Sequence, residues 1–143
     1  MRGNLCKRSA AFFGVILLTL CGSTLTGPRT GFGADKLSTP VPSSNPLSGD
    51  PEAIRQGHRL YFRWCVQCHG KKADGRSPRF GQYARDLRKF GRGYSQFFVT
   101  VLNGRLEKKM PRWVGVISGE EIAQIGAYLE TLAIEGARWK DDY

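Results

Sequence analysis

Five consecutive residues, Cys65-Val66-Gln67-Cys68-His69, bring two thiols and an imidazole together within one turn of chain. Three chemistries use donors at that spacing. The thiols can add across the vinyl groups of a porphyrin while the histidine that follows binds its iron. The same side chains can begin a zinc site, which needs about four ligands drawn from Cys, His or carboxylate. Or the pair can cycle between dithiol and disulfide, which requires a thiol activated to thiolate.

The donors left in the rest of the chain separate these cases. Residues 1–34 have the layout of a secretory signal peptide: Arg2, Lys7 and Arg8, then an apolar run from Ala10 to Leu20, then Gly22, Ser23 and Thr24. The run is shorter than the roughly 20 residues that span a bilayer. Lipid attachment at Cys21 is disfavoured by the bulky Leu20 before it. Cleavage after Ala34 places a small residue at the cut, with Phe32 an imperfect match two positions earlier. Export to the periplasm then leaves Cys65 and Cys68 as the cysteines and removes four cations and no anion, so the net charge of +10 falls to +6. Two haem propionates would bring it to about +4, basic enough to favour acidic partners but not to argue for nucleic acid. Nothing in the mature chain argues for stable insertion in a membrane.

Zinc would have only His58 and carboxylates to complete its shell, an uncommon structural set. Trp64-Cys65-x-x-Cys68 resembles the motif of thioredoxin-like proteins, but that fold needs a hydrophobic strand before the motif, and here the pattern is helical. Covalent haem c, one per chain, is the chemistry that remains.

A low-spin electron-transfer haem takes a second axial ligand, usually His or Met. His58 stands on the segment leading into the motif, on the same side as His69. Met110 lies 41 positions beyond His69 in a loop with Pro111. A lone Met is usually core filling, yet Lys108, Lys109 and Arg112 make this setting polar. His69 and Met110 are therefore the expected iron ligands.

The elements that must hold these residues are helical. Residues 35–49 are rich in Ser, Pro, Thr and Asn and read as a flexible linker. Asp50-Pro51 can start a helix, with Ile54, Gly57, Leu60, Tyr61 and Trp64 near one face running into the motif. Residues 70–93 read as a loop. A second helix is expected over Ser95–Asn103, stopped by Gly104, and a third from Ser118, where Ser118 and Glu121 form a capping box. The class is all-α: one domain over 50–143, with three main helices and long loops. A domain this small is short of core, and a buried porphyrin would supply an apolar centre.

Taken together, Gly57-x-x-Leu60-Tyr61, Cys65-x-x-Cys68-His69-Gly70, Asp74-Gly75, Asn103-Gly104, Met110-Pro111-x-Trp113 and Ile125-Gly126-Ala127-Tyr128-Leu129 resemble a class I bacterial cytochrome c across Glu52 to Leu132. The resemblance implies that the first and last helices cross near Gly57 and Tyr128. It also implies a proline after the motif whose carbonyl orients the axial imidazole, for which Pro78 is the candidate. Trp113 would donate its indole N–H to a propionate or pack on the haem. Phe97, Phe98 and Val101 would exclude water.

The activity implied is one-electron transfer without bond making, and no Ser, Cys or carboxylate constellation suggests a substrate reaction. Arg76, Arg79, Arg85, Arg88, Lys89 and Arg92 in one loop, and Arg105, Lys108, Lys109 and Arg112 around Met110, would steer an acidic redox partner. The run from Gly104 to Trp113, with Glu135-Gly136-Ala137-Arg138-Trp139, is similar to small cytochromes that accept electrons from quinoprotein (PQQ-dependent) alcohol or methanol dehydrogenases. Two alternatives stand beside that donor: a general periplasmic shuttle to a terminal oxidase, and a haem enzyme or gas-binding protein with an open distal site.

Overall fold

The computed structural model describes residues 40–141. The expected signal peptide, 1–34, and the first part of the expected linker lie outside the described residues. Helix α1, Pro51–Trp64, starts where the sequence predicts: the Asp50 carboxylate accepts from the Ala53 N–H at 2.8 Å, and Pro51 sits in the first turn. Helix α4, Gly119–Thr131, carries the capping box: Glu121 N–H donates to Ser118 Oγ and Ser118 N–H to the Glu121 carboxylate.

These two helices cross where α1 lacks a side chain. A Cβ on Gly57 would overlap the Gln124 carbonyl oxygen. The crossing thus brings backbone against backbone at Gln124–Ile125, one turn ahead of the expected Tyr128. Tyr128 flanks the crossing, its ring 5.5 Å from Tyr61 and 5.0 Å from His58. Helix α3, Tyr94–Asn103, begins one residue earlier than its pattern suggests, from Gly93 at φ 79°. It buries Tyr94, Phe97 and Val101 and packs on α4. Tyr61, Tyr94, Ile122, Ile125 and Leu129 form the fully buried centre.

A fourth, short helix, α2, spans Val66–His69 and is separated from α1 by a kink at Cys65. The expected loop 70–93 contains an antiparallel hairpin, β1 Arg76–Ser77 with β2 Gly81–Gln82, and a 3₁₀ turn at Leu87–Lys89. Strands of two residues are too short to show alternation in sequence. The protein is mostly helical, as expected.

The structure differs from the expected linker at its end. Asn45 is 5% exposed: its Nδ2 donates to the Ala123 carbonyl at 2.9 Å and its Oδ1 accepts from Leu47 N–H. Leu47 packs on the core. A polar composition hides this seat, because one asparagine with paired donors and acceptor can be buried at little cost. After α4 the chain returns along 132–141, where Trp139 packs on Phe90 and Phe97. Among the described residues no helix is long and apolar enough to cross a membrane.

Candidate functional site

The motif is held from both ends. Cys65 N–H donates to Tyr61 O, closing α1, and its own carbonyl accepts from Cys68 and His69 N–H, opening α2. Gly70, at φ 79°, ends the turn. Tyr61, fully buried, donates its hydroxyl to the Gly70 carbonyl at 2.7 Å. Ser77 Oγ donates to the Gln67 carbonyl at 2.6 Å, fastening the hairpin to the same turn.

Cys65 and Cys68 are both free and half-buried. Burial, with Cys68 alongside, pushes the Cys65 thiol up to about 12. The segment before the motif is helix α1 rather than a strand, so the thioredoxin-like reading lacks its fold. No group of three or more His, Cys, Asp or Glu meets among the described residues, so zinc has no ligand set there.

His69 is half-buried, and burial holds its imidazole below the usual histidine range, a backbone carbonyl partly offsetting this. That carbonyl belongs to Arg85, 3.4 Å from Nδ1. Since a carbonyl only accepts, this contact favours the tautomer with the proton on Nδ1 and the lone pair on Nε2. Pro78, expected to offer this carbonyl, is exposed in the hairpin turn.

Met110 sits in a tight loop. Arg105 and Met110 exchange both backbone hydrogen bonds, at 2.9 and 3.0 Å, around a 3₁₀ turn Leu106–Lys108 and a left-handed Lys109. Gly104 lets this loop close: a Cβ there would overlap the Pro111 carbonyl. Trp113 and Val114 N–H both donate to Leu102 O, tying the loop to the end of α3. Trp113 stacks edge-on against Trp64 at 5.5 Å, linking the Met110 loop to the residue before Cys65. Cys65, Met110, Trp64 and Trp113 all pack against one apolar cluster that includes Phe97 and Val101. His58, exposed on α1, instead meets Phe62 and Tyr128.

The donor set fits a covalent haem: two unpaired thiols on one turn, an imidazole whose Nδ1 faces a carbonyl, and a thioether on a pinned loop. Sequence reasoning did not find Tyr61's hydroxyl, Ser77 or the Arg85 carbonyl. Tyr61 was placed in a motif and on a helix face without a role for its hydroxyl, Ser77 carried no motif signal, and the third is a backbone group that every residue has.

The chain is similar to several known proteins. The family model described as "Cytochrome C oxidase, cbb3-type, subunit III" matches residues 52–129. The quinohemoprotein alcohol dehydrogenase ADH-IIG of Pseudomonas putida is 35% identical over 112 residues, covering 75% of this chain. The structure of that enzyme superposes with a TM-score of 0.52 at 32% identity, over 66% of this chain and 14% of the enzyme's. The cbb3-type cytochrome c oxidase subunit CcoP of Rubrivivax gelatinosus is 30% identical over 91 residues, 64% of this chain. Cytochrome CL from Methylophaga aminisulfidivorans is 26% identical, with a TM-score of 0.49 over 62% of this chain and 60% of that one. The matched region spans 15% of the length of the alcohol dehydrogenase and 29% of that of CcoP.

Proposed function

This chain belongs to the cytochrome c oxidase, cbb3-type, subunit III family, as a cytochrome c domain that binds covalent haem c, and on that premise we propose that it is a periplasmic one-electron carrier. When bound, the haem supplies an iron that cycles between ferric and ferrous states. Cys65 and Cys68 would hold the group through their sulfurs, each S–H adding across one vinyl group. His69, its Nδ1 facing the Arg85 carbonyl, would offer Nε2 to the iron. Met110 would offer its sulfur, and thioether ligation would favour the ferrous state and raise the potential over a bis-histidine pair. Phe97 and Val101, both buried, keep water from the apolar side.

The observation that carries this reading is a His69 whose Nδ1 faces the Arg85 carbonyl, together with a Met110 loop packed on the apolar cluster that Cys65 also joins. The test is a visible spectrum of the purified holoprotein with and without carbon monoxide. A ferric sulfur-to-iron charge-transfer band, its loss in Met110→Ala, and no carbon monoxide binding by the parent protein are the expected results. Ready carbon monoxide binding by the parent would identify an open distal site and a haem enzyme or gas sensor instead.

For the donor we propose a PQQ-dependent alcohol or methanol dehydrogenase, supported by the 35% identity to a protein named as a quinohemoprotein alcohol dehydrogenase. A second reading, transfer to a terminal oxidase, is supported by the family's name and by CcoP. Rapid reduction of the ferric protein by a purified PQQ-dependent dehydrogenase with its alcohol favours the first. Rapid oxidation of the ferrous protein by a cbb3-type oxidase, without such reduction, favours the second.

A further inference from the structure

Ten cations in two loops were expected to steer a partner, and the structure pairs one of them in each loop. Arg88 is held by the Asp86 carboxylate through two contacts at 2.8 and 2.9 Å, and Arg105 is paired with Glu107. Arg76, Arg79 and Arg85 are exposed and form no ion pair among the described residues. Asp74, two residues before Arg76, accepts from the Arg76 backbone N–H, and Asp86, next to Arg85, is engaged by Arg88.

Two large aromatic side chains stand among these three arginines. Phe80 is 53% exposed and Tyr83 39%, with their rings 4.9 Å apart. The Arg79 guanidinium lies over Phe80, 5.4 Å from the ring centre. Exposed aromatics beside unpaired arginines have the composition of an interface centre rather than of a solvated loop.

The hairpin is also braced against the haem-attachment turn. Ser77 bonds Gln67, Tyr83 and Ala84 N–H both donate to Gly75 O, and the Arg85 carbonyl meets His69. A Cβ on Gly70 would overlap the Arg76 carbonyl, so the two backbones are in contact. A body seated here rests one residue layer from the proposed iron ligand.

We propose that the hairpin 76–85 is the docking knob for an acidic face of a redox partner protein, with Arg76, Arg79 and Arg85 setting approach and Phe80 and Tyr83 entering an apolar spot within that face. This presupposes the electron-carrier reading and selects the hairpin over the Lys108–Lys109 loop. Charge steers the encounter and the aromatic pair holds it, giving a small, fast contact.

The test uses ferrous holoprotein labelled with nitrogen-15, titrated at low salt with poly-L-glutamate as the acidic probe. Amide shifts should centre on 76–85, and Arg76→Glu/Arg79→Glu should weaken binding roughly tenfold. In a second arm, a pre-reduced PQQ-dependent alcohol dehydrogenase reduces each variant. Both Arg76→Glu/Arg79→Glu and Phe80→Ser/Tyr83→Ser should slow reduction about tenfold at low salt, with spectrum and midpoint potential unchanged. Shifts centred on 105–112, or a larger loss in Lys108→Glu/Lys109→Glu, would overturn the proposal. So would a changed spectrum or potential in Phe80→Ser/Tyr83→Ser, which would assign those rings to covering the haem. If the dehydrogenase fails to reduce the parent protein, the donor reading falls, and the poly-L-glutamate map alone decides the surface.

Discussion

Tyr61 shows how a single buried hydroxyl can hold a reactive turn in place. Burial pushes its phenol well above the ordinary tyrosine range, so it remains a donor to the Gly70 carbonyl throughout physiological pH. Tyr61→Phe leaves that carbonyl without its partner and should cost about 1–2 kcal/mol of stability, measured by denaturant unfolding of the holoprotein. A loss within error would mean that water replaces the hydroxyl. At this scale the sequence was legible wherever chemistry is written in the residue type. Cys65, Cys68, His69 and Met110 could be named as proposed haem and iron ligands because few other side chains offer sulfur or imidazole. The partner of His69 could not, since which backbone carbonyl arrives depends on how 70–93 folds back.

The helices were readable from periodicity and capping, and their departures from expectation have local causes. Ser118 and Glu121 signal a start by reciprocal bonds within four residues, and the structure contains both. Ser118→Ala should lower stability by about 1 kcal/mol, read as a shift in the denaturation midpoint at unchanged slope. The start of α3 was placed one residue late because Gly93 has no side chain to announce a cap. Gly57 was recognised as a site of close approach, but what it approaches is set by the crossing. Gly57→Ala forces a Cβ into the Gln124 carbonyl and should cost about 3 kcal/mol. Calorimetry of the holoprotein checks this, and a near-neutral result would mean that α1 and α4 slide apart freely. The Met110 loop was expected only as a loop. Its tightness comes from the Arg105–Met110 backbone pair and Gly104, and neither follows a periodic pattern.

For the molecule as a whole, the class and the helical core followed from composition and pattern, while the seating of the segment before α1 did not. Asn45 fills the space above Gly126, beside Tyr94 and Phe97, with both its donor and its acceptor engaged. Asn45→Ala should destabilise the holoprotein by about 1–3 kcal/mol, and amide exchange should rise at Leu47, whose N–H donates to Asn45 Oδ1. Unchanged stability and exchange would show that the segment contributes nothing to the core.

The same segment meets the chain's return. Asp141 N–H donates to the Ser43 carbonyl at 3.0 Å, so residues almost a hundred positions apart in sequence share one hydrogen bond. A unit whose two ends emerge side by side can be spliced into a larger polypeptide without disturbing its interior. Such an arrangement suits a domain that forms a small fraction of its matched relatives. It also makes the unit a natural cassette: a short peptide joining 43 to 141 should permit the chain to be reopened at an exposed turn elsewhere.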